Sequence, residues 1–310
     1  MIKYKPKIYI DGREGTTGLQ IYERLGGRSD IRLLLIDEAK RKDRDERKRL
    51  INSADIVFLC LPDDAAREAV SMCENDATRI IDASTAHRTR ADWAYGFPEL
   101  SRRHREAVAK SKRVANPGCH ATGFLASVYP LVELGILSAD DELACVSLTG
   151  YSGGGKKMIR DYEQNKTPEM SAPGFYGLAQ SHKHLPEMVR VAGLSRAPVF
   201  MPVVDDYYCG MATAIAIHGG LAGGAAASKV HEALSGYYTG ERFVKVAPEL
   251  GSGTLFANVY ACTNMLEITV SGNDECVTVT SRFDNLGKGA SGAAVQNMNI
   301  MLGLPEDTGL

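Results

Sequence analysis

Short apolar runs alternate with helix-period segments through the first third of the chain. Lys7–Ile10, Ile56–Cys60 and Arg79–Asp82 read as strands, and Thr17–Leu25 and Asp63–Cys73 as helices. Ile31–Ile36 is almost wholly apolar, the pattern of a parallel strand covered on both faces. Strand–helix alternation of this kind predicts a parallel sheet with right-handed crossovers. The pattern changes after the apolar helical run that begins at Phe124. Leu143–Thr149, Val199–Val204, Met211–His218, Phe243–Val246, Phe256–Cys262, Leu266–Val270 and Val277–Phe283 all read as strands, with one clear helix, Ala226–Tyr237, among them. A final helix is expected over Gly287–Leu302. The fold class expected is therefore α/β: a parallel-sheet α/β domain followed by an α+β domain with a large, mostly antiparallel or mixed sheet.

Composition narrows the function classes. The 310 residues suffice for two domains. A net charge of −2 argues against a general nucleic-acid binder. No apolar stretch reaches the roughly 18 residues of a membrane span. The start, Met1–Lys7, lacks the pattern of a signal peptide. Seven cysteines without C-x-x-C spacing are expected to be reduced thiols of a cytoplasmic protein. Of these, Cys60, Cys145, Cys262 and Cys276 lie in or beside apolar runs and are expected to be buried structural residues.

Cys119 is the exception. Asn116-Pro117-Gly118-Cys119 places it after a turn and directly before the apolar helical run Phe124–Tyr129. A helix N-terminus offers unpaired N–H groups and the positive end of the macrodipole, both favouring the nucleophilic thiolate. Upstream, Gly12-x-x-Gly15-x-x-Gly18 follows the first strand and opens the first helix, where pyrophosphate approaches a helix N-terminus. An ordinary Gly-rich turn is the alternative, because the spacing departs from G-x-G-x-x-G. Gly12, Arg13, Gly15, Thr16, Thr17 and Gly18 are the candidate cofactor contacts. Asp37, at the end of the second strand, suits the ribose hydroxyls of NAD; Arg13, Arg41 or Lys42 suits the 2′-phosphate of NADP. Most of the charged run Lys40–Arg49 reads as a solvated helix face.

Further candidates follow. Ser152-Gly153-Gly154-Gly155-Lys156 offers successive N–H groups and a hydroxyl, an anion nest or simply a flexible loop. His182-Lys183-His184-Leu185-Pro186-Glu187 is the best source of a general base. It is not expected to bind metal, since no third ligand is evident. His120, adjacent to the cysteine, is discounted as the base because neighbouring residues at a helix start point in different directions. Ser84 and Arg88 follow the fourth strand at the sheet's C-terminal edge, where Arg88 can clamp a phosphate or carboxylate.

Together these segments resemble the short form of the N-acetyl-γ-glutamyl-phosphate reductase family, within the aspartate-semialdehyde dehydrogenase superfamily. The resemblance also rests on Cys60–Ala66, Asp82–Arg88, Tyr95–Leu100, Gly150–Lys156 and Asp284–Asn299, and spans nearly the whole chain. One departure is His120, where the family usually has an aromatic residue. The resemblance implies a Rossmann-like NADP-binding domain (1–118 with 286–310) and a catalytic and oligomerisation domain (119–285). It implies that Cys119 attacks an acyl phosphate to form a thioester that NADPH reduces, with His184 as acid/base. Arg88, Tyr176, His182 and Glu187 would hold the substrate or the base. Ser152 and the backbone at Gly153 and Gly154 would approach the phosphate or nicotinamide, with Gly287 and Ser84 near the cofactor. It further implies NADP(H), a homodimer or homotetramer, and arginine biosynthesis. A related enzyme acting on aspartyl phosphate or a carrier-linked amino-acid phosphate is one alternative. A non-catalytic NADP(H)-binding regulator is another.

Overall fold

A computed structural model describes residues 4–218 and 226–310. The chain divides into two compact units, Met1–Pro117 with Ala290–Leu310, and Gly118–Gly289.

The first unit is a six-stranded parallel sheet. Its strands are β1 (Lys7–Asp11), β2 (Arg32–Leu34), β3 (Ile56–Leu59), β4 (Arg79–Asp82), β5 (Ala94–Tyr95) and β6 (Arg113–Ala115), in the order β2-β1-β3-β4-β6-β5. Alternation along each strand feeds two cores. Ile8, Ile10, Phe58, Ile81 and Val114 pack with helix α1 (Thr16–Gly26) and the C-terminal helix Gly292–Leu302. Tyr9, Val57, Leu59 and Ile80 face α2 (Arg44–Ser53) and α3 (Asp63–Ser71). Helix α4 (Arg102–Lys110) completes the unit, capped by the Ser101 hydroxyl. The reversal of strand order falls between β1 and β3, the crevice where such sheets bind ligands.

The strand expected over Ile31–Ile36 is shorter than its apolarity suggests. β2 is an edge strand with only partial cover, and pairing stops at Leu34.

The second unit opens with α5 (Cys119–Glu133) and continues through β7 (Ala144–Gly150), α6 (Gly155–Gln164), β8 (Gly174–Phe175) and α7 (Leu185–Ala192). It then runs through β9 (Val199–Asp205), β10 (Met211–His218), α8 (Ala227–Tyr237), β11 (Val244–Val246), β12 (Leu266–Gly272) and β13 (Cys276–Phe283). The sheet order is β11-β12-β13-β10-β7-β9-β8, with both parallel and antiparallel pairs. Two expectations fail here. Helices α6 and α7 interrupt the strands as well as α8, because Gly-rich and Pro-containing starts conceal them. Phe256–Cys262 is not a strand: it is a run of turns with Phe256, Val259 and Cys262 exposed, ending with Cys262 at φ 63°. Cys276 is also exposed, at the start of β13; only Cys145 of the four expected structural cysteines is fully buried.

Helix α5 is buried along most of its length, and Gly123 lets it approach β10. A Cβ there would lie 2.4 Å from Thr213 Oγ1 and 2.8 Å from Phe283 Cε1. Thr213 cannot swing aside freely, since it is buried and its hydroxyl bonds to Ser147 Oγ at 2.8 Å. Gly123→Ala should therefore destabilise by about 1–3 kcal/mol despite alanine's better helix propensity. A denaturant midpoint at or above wild type would refute this packing.

Candidate active site

The glycine motif lies in the β1–α1 turn. Gly15 N–H donates to Gly12 O at 3.0 Å, and Gly12 sits at φ 85°. A Cβ on Gly12 would lie 2.3 Å from Cys60 O, and one on Gly18 2.4 Å from Gly12 O. Packing inside the protein thus accounts for both. It does not account for Gly15, whose added Cβ would make only ordinary contacts, the nearest at 3.4 Å. No side chain caps α1, its first turn holds no acid, and the buried Thr16 Oγ1 has no hydrogen-bond partner. An open helix N-terminus with a bare backbone and a waiting hydroxyl fits a pyrophosphate.

Around this turn, Arg13 stacks on Tyr22 at 4.9 Å and reaches Glu38 at 4.0 Å; Arg41 pairs with the other Glu38 oxygen at 2.5 Å. Asp37 lies beyond β2, and its carboxylate accepts from Ala39 N–H. Behind β4, Ser84 donates its hydroxyl to Asp82 at 2.7 Å, and Asp82 also holds His87, which stacks on Trp93. Arg88 is buried, donating Nε to Asn116 O and Nη2 to Ala83 O. Asn116 in turn donates to Ala290 O and accepts from Asn297. Arg88 thus braces Asn116, three residues before Cys119, and Ser84 holds the Asp82 carboxylate, structural duties beyond the ligand contacts expected of them.

In the second unit, half-buried Cys119 is the first residue of α5. Glu187, fully buried in the first turn of α7, accepts from Gly118 N–H at 3.2 Å and so ties the two helix starts together. The histidine segment packs around His120. Ring centroids are 4.7 Å apart for His182–His184, 5.3 Å for His120–His182 and 5.7 Å for His120–His184. His182 Nδ1 accepts from His184 N–H, so neutral His182 carries its proton on Nε2. Tyr176 OH bonds His120 Nε2 at 2.6 Å. Burial, and then the Cys119 sulfur beside it, raise the Tyr176 phenol above its ordinary value. The structure thus brings Cys119, Tyr176, His182, His184 and Glu187 together.

His120 is the part sequence reasoning left without a role. Its Nδ1 meets Ser147 Oγ at 2.7 Å, and Ser147 meets Thr213, so a polar chain runs from the sheet through His120 to Tyr176. Burial, reinforced by His182 and Lys183, pushes the His120 imidazole down to about 3. It is neutral at working pH. Two residues of the Asp284–Asn299 segment also gain roles that the sequence does not assign. A Cβ on Gly289 would lie 2.9 Å from Cys119 Cβ, so this glycine admits backbone beside the nucleophile. Asp284 accepts from Leu286 and Gly287 N–H and shapes that turn.

The Ser152 segment is a 3₁₀ turn (Tyr151–Gly154) rather than an open nest. Ser152 is buried, and its hydroxyl accepts from Asn285 at 2.9 Å. Gly153 lies against Thr149, Gly154 against Met158, and Gly287 against Thr263 O. Packing contributes to each of these glycines.

Comparison with known proteins places this geometry. Residues 10–108 match the semialdehyde dehydrogenase NAD-binding domain and residues 119–285 the semialdehyde dehydrogenase dimerisation domain. Aspartate semialdehyde dehydrogenase II from Vibrio cholerae, complexed with ASA, superposes with a TM-score of 0.72 at 14% identity, over 97% of this chain and 99% of that one. The Francisella tularensis enzyme gives 0.71 at 14% identity, over 96% and 100%. These likenesses show the fold. The chain belongs to the semialdehyde dehydrogenase family, as an oxidoreductase with a nicotinamide-dinucleotide domain. A Nostoc sp. protein named N-acetyl-gamma-glutamyl-phosphate reductase 2 is 50% identical over 99% of both chains. The Pseudomonas putida protein of that name is 47% identical over 97% of this chain and 98% of its own. Within the family, this chain falls with the N-acetyl-gamma-glutamyl-phosphate reductases.

Proposed function

We propose that this enzyme reduces N-acetyl-L-glutamyl 5-phosphate to N-acetyl-L-glutamate 5-semialdehyde and phosphate, with NADPH, in arginine biosynthesis. The observation that carries the chemistry is Cys119 at the first position of α5, beside Tyr176 and tied through Gly118 to the histidine-bearing start of α7.

Cys119 thiolate attacks the acyl carbon, the carbon–oxygen bond to phosphate breaks, and phosphate leaves with the electron pair, giving a thioester. The dinucleotide, held by Gly12–Gly18 and Thr16, supplies the hydride when bound. His184 gives a proton to the oxygen of the sulfur-bound adduct and takes it back as the carbon–sulfur bond breaks, releasing aldehyde and thiolate. Tyr176 and His182 orient the acyl group, and Glu187 fixes the cysteine turn. Arg88, Ser152, Gly153, Gly154, Ser84 and Gly287 keep their proposed places near the ligands, chiefly through backbone groups for the glycines. The reading includes a homodimer or homotetramer, supported by the name of the matched dimerisation domain. It also assigns the cytoplasm, where a nucleophilic thiol stays reduced.

NADP is favoured over NAD because Arg13 and Arg41 converge on the Glu38 carboxylate, a place a 2′-phosphate would take over, while the Asp37 carboxylate is held by Ala39 N–H. Replacing both arginines with alanine should lower kcat/KM for NADP⁺ by about 10–100-fold and leave NAD⁺ nearly unchanged. The assay is phosphate-dependent reduction of NADP⁺ by N-acetylglutamate 5-semialdehyde, with aspartate semialdehyde in parallel. Turnover with the first substrate alone supports the proposal. Turnover with aspartate semialdehyde alone, or coenzyme binding without turnover by folded protein, overturns it.

A further inference from the structure

We propose that Cys209, Cys262 and Asp284 form a binding site for one zinc-like divalent cation, behind the turn that Asp284 shapes next to Cys119. The two sulfurs and a carboxylate oxygen all lie within 4.8 Å of one another. No other group of three such ligands occurs among the described residues. Two thiolates and a carboxylate are a soft-to-borderline donor set that suits Zn²⁺ and not Mg²⁺ or Ca²⁺.

The surroundings are built for the purpose. Asp284 is buried, and its carboxylate is oriented by three backbone donors: Leu286 and Gly287 N–H on Oδ1, and Cys262 N–H on Oδ2. A carboxylate offers about four lone-pair positions, so Oδ2 retains one for a metal. Backbone donors of this kind are the outer-shell contacts that fix a ligating carboxylate. Cys209 is buried, and its thiol reaches both Cys262 and Asp284. Cys262 is exposed and sits at φ 63°, one of two non-glycine residues with positive φ among those described. That unfavourable backbone conformation falls at a residue whose sulfur lies within 4.8 Å of the other two ligands and whose N–H Asp284 holds. Two ligands on the buried side and one at the surface leave a fourth, tetrahedral position open to water. As the metal–sulfur bonds form, each thiol releases its proton to solvent.

The test uses the full chain carrying Cys119→Ala, which removes the catalytic thiol as a competing ligand, reduced and stripped with chelator. Titration with Co²⁺ should give one equivalent of visible d–d bands and near-ultraviolet sulfur-to-cobalt charge transfer, displaced by Zn²⁺. Adding Cys262→Ser, a surface change that spares the fold, should weaken Zn²⁺ by about 100-fold or more in chelator competition. Circular dichroism of both proteins checks folding. Absence of the bands overturns the proposal. So does their survival in Cys262→Ser, which would place the metal elsewhere, for instance on the histidines. A Cys209–Cys262 disulfide formed by hydrogen peroxide in protein that binds no Co²⁺ when reduced would overturn it in favour of a thiol pair.

Discussion

Cys119→Ala is expected to lower kcat for acyl-phosphate reduction by about 10⁴-fold or more while leaving the fold and dinucleotide affinity unchanged. The size follows from the chemistry. Without the sulfur no thioester forms, and the reaction loses the division of one hard reduction into two easier steps. The selectivity follows from the structure. Alanine keeps the Cβ against which Gly289 packs, and α5 keeps its remaining contacts with the sheet. The dinucleotide turn belongs to a unit with its own two cores. Steady-state turnover, single-turnover phosphate release and calorimetric NADP⁺ binding separate these effects. A variant that still releases phosphate in a burst would remove Cys119 from the nucleophile's role. A variant that loses NADP⁺ binding would show that the loss is structural.

Local signals carried much of this protein, and contacts between distant segments carried the rest. The βα turn at Gly12–Gly18 and the turn before Cys119 were legible because a few adjacent residues dictate them. His182, His184 and Glu187 were legible as a group for the same reason. Glu187 shows the limit: its spacing marked it as a site residue, but its bond to Gly118 joins positions 69 residues apart. The Ser147–His120–Tyr176 chain is of the same kind, assembled by β7, α5 and the segment after β8. Phe256–Cys262 misled because its apolar residues suggest a strand, whereas turn hydrogen bonds from Ala261 and Thr263 win there. β2 misled because apolarity does not reveal that a strand lies at a sheet's edge.

The three histidines around Cys119 can be told apart by substitution, and His184→Gln is expected to be the costly one, with kcat lowered by about 10²–10³-fold and KM changed little. His120 is excluded on two grounds. Both its ring nitrogens are engaged, by Ser147 and Tyr176, and burial holds it neutral down to about 3. His182 commits Nδ1 to the backbone of His184, which suits it to orientation rather than proton transfer; His182→Gln should cost about tenfold, mostly in KM. His184 immediately precedes α7, one turn from the Glu187 that ties this helix to the cysteine turn. Its position is therefore set by the same element that positions the nucleophile. Glutamine keeps similar bulk and hydrogen-bonding capacity but cannot transfer a proton, so a loss confined to kcat reports proton transfer rather than packing. A larger kcat loss in His182→Gln, with His184→Gln near wild type, would exchange the two roles. Equal losses in kcat and in thermal stability for both would show that the cluster acts as a packed support for Cys119, and the proton would have to come from Tyr176 or solvent.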